Sequence, residues 1–402
     1  MQEPTAFQPD FDGRRLDLDW VRIVAFMLLI LYHVGMYYVT WDWHVKSPHA
    51  SHAIEPLMML TSPWRLSLLF LVSGVATAYL LERQGVRSFV AQRSQRLLVP
   101  LAFGMLVIVP PQSYLEVVEQ IHYAGSFAEF WRLYLTGYSS FCDADGCLLV
   151  PTWNHLWFVA YLWVYTVLLY VAVRAWPTGI ARLRALADRG LGGSGAILLP
   201  IAWLAGARLA LGALPSTHAL IDDWYNHAVY LFVFVLGFTL AGTRAPWAAF
   251  ERARWHALGA ALLGWAALVA YQGFYTNGPP PDLVRFPMRA LYAAEQWLAI
   301  VAVLGFARRH LNRDGAARRY LTTAIFPVYI LHQTVIVIAA HALKPAGLPP
   351  ATEGALLVLV TVAACFLGYE AIRRAGVLRP LFGLARKERG HSPVRVMSRG
   401  AA

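Results

Sequence analysis

WVRIVAFMLLILYHVGMYYVTW, residues 20–41, carries one full charge, Arg22, and one histidine, His33, in a run that is otherwise almost entirely apolar or aromatic. At about 1.5 Å per residue, a helix of this length crosses the roughly 30 Å hydrocarbon layer of a bilayer. Comparable runs follow at 57–81, 97–115, 155–176, 195–213, 227–243, 255–275, 287–307, 320–343 and 354–372. They predict an all-α integral membrane protein of about ten transmembrane helices. Composition points the same way. Of the 402 residues, 58% are hydrophobic and 14% are charged, whereas soluble domains are about 25% charged. The 15 Trp and 19 Tyr suit the membrane–water interfaces.

The loops give a second, independent signal. With the N-terminus inside, the cytoplasmic segments are 1–19, 82–96, 174–190, 244–254, 308–319 and 373–402, and they hold 26 of the 34 Lys and Arg. The opposite loops hold only Lys46, Arg132, Arg285 and Lys344. This alternation is the positive-inside pattern, so both termini are expected in the cytoplasm. The division predicted is a cytoplasmic N-terminal segment at 1–19, a membrane domain at 20–372 and a basic cytoplasmic tail at 373–402. A net charge of +11 dispersed in this way makes no contiguous basic face, so lipid rather than nucleic acid is the expected surrounding. Residues 1–19 contain no apolar core, and no cleavable signal peptide is expected.

Ionisable groups inside spans are costly and usually face a cavity or a partner. Arg22 and His33 are eleven residues apart, within about 20° of three full turns, so they share one face about 16 Å apart along the axis. Asp19 falls near that face and can orient Arg22. A snorkelling Arg22 and a hydrogen-bonded packing His33 fit the same pattern. Arg93 and Arg96 stand side by side at the entrance to the third helix, before Pro100, as a fork suited to phosphate or as ordinary positive-inside charge. In the second helix, Phe70-Leu71-Val72-Ser73-Gly74 offers small residues for close helix packing, with Arg65 two turns earlier. Further polar groups are Asn154-His155, Glu295-Gln296, Tyr329 and His332-Gln333; a carboxylate such as Glu295 can pair with His332 or His33. His44, His49 and His52 with Asp42 match no metal-ligand template, and no metal is expected. Cys142 and Cys147 share an outer loop, where they either close a small disulfide turn, the expected state, or stay as two thiols.

Arg22-x10-His33, the stretch ending at Gly74, Arg93-x2-Arg96 with Pro100, His155-Leu-Trp-Phe and Tyr-x-Leu-His at 329–332 together resemble the membrane acyltransferase-3 family over about residues 14–372. Within it the chain looks most like the branch that O-succinylates periplasmic glucans. The resemblance implies a ten-helix core that takes acyl groups from cytoplasmic acyl-CoA to an extracytoplasmic acceptor, with the catalytic histidine at His33, its arginine at Arg22 and the paired arginines at Arg93 and Arg96. No hydrolase-like domain of the kind some relatives append is expected in the short tail.

The expected activity is therefore O-acyl transfer in the bacterial inner membrane, from succinyl-CoA or acetyl-CoA as donor substrate to a hydroxyl of an extracytoplasmic glycan. No permanently bound cofactor is expected, and proteins of envelope-glycan synthesis are the expected partners. Cytoplasmic arginines answer the phosphates of CoA, and a neutral imidazole, with an ordinary pKa near 6.5, can take a hydroxyl proton. Asp19, Arg65, Ser73, His155, Glu295 and His332 are the expected supporting residues of the cavity. A dicarboxylic acyl group would want an extra cation such as Arg65 or Arg208. Direct transfer and a covalent acyl-enzyme both fit. A secondary transporter or exporter of a small anion or glycan precursor is the alternative: it uses the same buried groups but leaves the paired arginines without a task.

Overall fold

The computed structural model describes residues 15–83, 86–143, 146–276 and 278–386, so most of the 1–19 segment and the tail from 387 onward lie outside it. The described chain is helical, with one isolated antiparallel bridge at Cys142 and Cys147. The principal helices are α1 (Leu16–Tyr38), α2 (Arg65–Arg83), α3 (Val86–Phe103), α4 (Pro110–Gln120), α5 (Phe127–Leu135), α6 (Trp157–Ala175), α7 (Pro177–Gly190), α8 (Gly195–Leu211), α9 (Trp224–Leu240), α10 (Ala245–Phe274), α11 (Asp282–His310), α12 (Ala316–Leu343) and α13 (Pro350–Arg374).

Each of the ten apolar runs falls largely within helix. Among the described residues, eight helical segments are long and apolar enough to cross a membrane, counting Ser88–Gln120 as one. The other two runs are less regular. α8 meets α7 at a 115° bend, and α9 has only 17 residues. Leu31, Leu168, Leu199, Trp203, Leu263, Leu359 and Leu367 are exposed on the outsides of these helices. Apolar side chains in those positions suit lipid, which asks only that backbone polar groups be bonded within the segment.

Two expectations need correction. The second run, 57–81, is not one helix: Glu55–Met59 is a separate short helix, and α2 begins only at Arg65. Pro63 lies at the break, where it lacks an N–H and disfavours helix in the residue before it. Segment 174–190, expected as a cytoplasmic loop, is also not a plain loop, because α7 fills most of it, with Pro177 in its first turn.

Prolines also explain how the segment between α3 and α6 is held. Gly104–Ile108 forms a π-helical turn, followed by Pro110-Pro111, which cannot donate to the carbonyls before them. The freed carbonyls are taken by α5: Tyr134 Oη donates to Met105 O at 2.9 Å and Trp131 Nε1 to Leu106 O at 3.0 Å. α5 starts with a Ser126/Glu129 capping box. Its Phe130 and Tyr134 bury against Val117 and Phe141. Cys142 and Cys147 are joined as a disulfide in the same segment.

α2 and α9 pack with their backbones almost touching. A Cβ on Gly74 would stand 1.9 Å from Phe234 O, and one on Gly237 would stand 2.0 Å from Leu71 O. The small residues read from the sequence therefore serve packing here. α1 packs one side against α11, α12 and α13.

Candidate active site

One face of α1 organises the site. Asp19, Arg22, Phe26, Leu29 and His33 recur at intervals of three and four, so the helix period stacks them in a single stripe. The stripe lines two cavities in succession. The first, of about 430 Å³, lies at the N-terminal end of α1 and is bounded by Arg22, Arg93, Arg96, Arg83, Ser73 and Asp19. The second, of about 190 Å³, is bounded by His33, Arg65, His155, Tyr329, Tyr32 and His218. Phe26, Leu69 and Phe158 line both, so they form an apolar neck between a cationic cavity and a histidine chamber.

In the chamber, two histidines from distant parts of the chain meet: His33 Nδ1 is 2.8 Å from His332 Nε2. The proton positions follow from the next contact. His332 Nδ1 lies 2.6 Å from Tyr329 O, and a carbonyl only accepts, so His332 is protonated on Nδ1. In the neutral ring its Nε2 then accepts the N–H from His33 Nδ1. His33 is left with its lone pair on Nε2, the form a general base needs. His155 adds an edge-on ring, 5.2 Å from His332, and donates from Nε2 to Ile330 O at 3.1 Å. Tyr329 Oη donates to His155 O at 2.5 Å, which ties α12 to the start of α6.

Arg65 is 2% exposed. Its guanidinium lies 3.9 Å from the Tyr32 ring centroid, Nη1 donates to Thr61 Oγ1 at 3.2 Å, and Nε has no partner. No carboxylate is paired with it among the described residues. A buried cation so weakly compensated favours an anion or a developing negative charge beside it.

The cationic cavity gathers like charges. Arg93 lies within electrostatic reach of both Arg22 and Arg96, and its buried Nε has no hydrogen-bond partner among the described residues. Asp19 accepts from Arg318 Nη1, while Nη2 and Nε of the same guanidinium donate to Asp314 Oδ1. In the exposed loop before α12, Arg318, Arg319 and the Gly315 N–H hold the Asp314 carboxyl down to about 2.

The two cavities thus collect eight of the residues expected from the sequence, with a ninth bonded to them: Asp19, Arg22, Arg93, Arg96 and Ser73 line the first, His33, Arg65 and His155 line the second, and His332 is bonded to His33. Glu295 lines neither. Its α11 turns it toward α10, where Gly264 leaves room for it, and His33 and His332 pair with each other instead of with this carboxylate. Arg208 is likewise elsewhere, 3.5 Å from the Tyr292 ring centroid and bonded to Tyr225 Oη at 2.7 Å. His44 and His52 bond Glu116 and Glu55.

Sequence reading missed Tyr32 and His218. His218 sits in an irregular loop at φ 52°, with its backbone N–H donating to Asp223 and its ring 4.2 Å from that of Trp157. No periodicity points to such a residue. Arg15, which also lines the first cavity, does continue the α1 stripe one turn before Asp19, and that spacing was a usable signal.

The arrangement can hold a polyanion at one end and take a proton from a hydroxyl at the other. Comparison with known proteins narrows the chemistry. Residues 15–370 match the family model described as an acyltransferase domain. Glucans biosynthesis protein C of Salmonella schwarzengrund (strain CVM19633) is 24% identical over 399 residues, covering 96% of this chain and 98% of the relative. The proteins of the same name from Salmonella typhi and Salmonella paratyphi B (strain ATCC BAA-1250 / SPB7) have the same identity and coverage. No solved structure matches the chain significantly. With a family match across nearly all of its helical body, this chain belongs to the acyltransferase-3 family and is a multi-pass membrane acyltransferase.

Proposed function

We propose that this enzyme sits in the bacterial inner membrane with ten spans and both termini in the cytoplasm, and moves a succinyl or acetyl group from cytoplasmic acyl-CoA to a hydroxyl of an extracytoplasmic glycan. The observation that carries the reading is the apolar neck of Phe26, Leu69 and Phe158 between a cavity lined by arginines and one lined by histidines. A donor with a phosphorylated end and a long uncharged arm matches that layout: its phosphates suit Arg22, Arg93 and Arg96, and its thioester enters the chamber. The name shared by the relatives favours a glucan as acceptor.

The chemistry follows from the dyad. His33 Nε2 takes the proton of the acceptor hydroxyl as its oxygen attacks the thioester carbonyl. The resulting imidazolium is stabilised through its Nδ1–H bond to His332. Arg65 faces the negative charge that develops on the carbonyl oxygen. The C–S bond breaks, the ester forms, and His33 returns the proton to the departing CoA thiolate, so the enzyme ends as it began.

The test is release of CoA thiol from a panel of acyl-CoAs by membranes carrying wild-type or His33→Ala protein, with and without glucan. Release should prefer one donor, depend on acceptor and fall by about 10²- to 10⁴-fold in the variant. Wild-type rates from a well-folded His33→Ala protein would remove His33 as the base.

A further inference from the structure

The sequence reads everything after Ile372 as a basic tail, whose charge membrane topology alone explains. Its first part is built into the protein. After α13 the chain makes a short helix, Leu378–Leu381, and buries Phe382 against Phe103, with ring centroids 5.4 Å apart. Gly383 follows at φ +70°, where a Cβ would stand 2.5 Å from the Phe326 ring, so only glycine fits the turn. Arg379 closes the hook by donating from Nε to Ala385 O at 2.7 Å and from Nη1 to Arg373 O at 2.9 Å.

This hook walls a further cavity of about 800 Å³, into which Arg96, Arg373, Arg374, Arg379 and Arg386 converge. Glu370 bonds Arg373 at 2.7 Å and Arg374 at 2.9 Å, so it offsets one of the five charges. The cavity shares Arg96, Thr323, Gly383 and Leu384 with the cationic cavity at the foot of α1. The two therefore adjoin, and Arg96 belongs to both.

We propose that this outer cavity binds the phosphorylated nucleotide half of the donor, so that the hook from Leu378 to Arg386 is part of the donor site. The inference rests on the acyl-CoA reading above. CoA is an uncharged arm attached to a nucleotide that bears a pyrophosphate and a ribose phosphate. The neck suits the arm, Arg22 and Arg93 of the smaller cavity suit the pyrophosphate at the arm's far end, and the wider, arginine-walled cavity suits the nucleoside with its ribose phosphate. Arg374 and Arg386 are the cations to test, since Arg379 is committed to holding the hook.

The experiment compares acyl-CoA with the same acyl-dephospho-CoA, using the full chain in phosphatidylcholine proteoliposomes with and without cardiolipin. Wild type should show a KM about tenfold or more higher for the dephospho donor, and adenosine 3′,5′-bisphosphate should compete with acyl-CoA. The Arg374→Ala/Arg386→Ala protein should show a similar rise in KM for acyl-CoA, with kcat retained. Equal use of both donors by wild type, with no competition by the bisphosphate, would overturn the proposal while leaving acyl transfer intact. Variants that change only the response to cardiolipin would assign the cavity to an anionic lipid headgroup and overturn it as well. If the double variant does not fold, the wild-type donor comparison and competition still decide. No CoA release from any donor would refute the acyl-transfer reading, and this site with it.

Discussion

Replacing His332 tests the dyad more sharply than replacing His33, because it changes the acceptor of one hydrogen bond and leaves His33, the proposed base, in place. His33 Nδ1 is 2.8 Å from His332 Nε2, in a chamber where the second ring is 1% exposed. When His33 becomes an imidazolium, that bond is charge-assisted, worth about 1.5–3 kcal/mol. His332→Leu removes it, which corresponds to a loss of roughly 10- to 150-fold in kcat. The loss of tautomer preference in His33 adds to this. His332→Gln restores an acceptor oxygen and should recover much of the rate, whereas a purely steric role would not favour the amide over leucine. The assay is single-turnover release of CoA thiol at saturating donor, alongside the donor concentration giving half-maximal rate, which should stay unchanged. A His332→Leu protein that melts like wild type and turns over within twofold of it would refute the relay. Equal loss in the Leu and Gln variants would do the same.

Other consequences can be checked with the same preparations. Arg93→Ala and Arg96→Ala should each raise the half-saturating acyl-CoA concentration about tenfold, and unchanged saturation curves in both would end their assignment to the donor. Gly74→Ala should destabilise the protein by about 1–3 kcal/mol, because α2 must move off Phe234; an unaltered melting midpoint in detergent would contradict the close approach. Tyr134→Phe strips a buried hydroxyl that donates to Met105 O and Thr152 O, and should cost about 1–3 kcal/mol in the same melt, whereas a neutral result would mean those carbonyls find other donors. Cys142→Ser should leave CoA release intact and abolish the reductant-dependent mass shift on maleimide labelling; a wild-type protein that labels fully without reductant would show that the pair is not oxidised.

Much of the fold is legible along the chain because a bilayer imposes a one-dimensional rule. Each crossing needs a long apolar run, and arginine and lysine accumulate in alternate loops. That rule located the helices and failed where local backbone chemistry intervenes. Pro63 detaches the N-terminal end of the second run, and Pro110-Pro111 frees carbonyls that Tyr134 and Trp131 collect from α5. The helical period likewise put Arg22 and His33 on one face of α1 before any tertiary contact was known.

What the sequence could not supply is which helices stand next to α1. Glu295 and His332 read alike as buried polar groups, but packing turns α11 toward α10 and sets α12 beside α1, so one becomes the partner of His33 and the other does not. The same holds for Arg65 and Arg208, of which only the first reaches the chamber, and for His218, delivered by a loop without periodicity. The arginines of the tail read as topology signals until Phe382 and Gly383 fold them against α3 and α12. Hydrophobic length and charge bias are properties of a segment by itself, and so the sequence alone determined the membrane class, most of the long apolar helices and the α1 stripe. A proton relay or a phosphate site depends on distances between segments, and only the packing of the helices decided those.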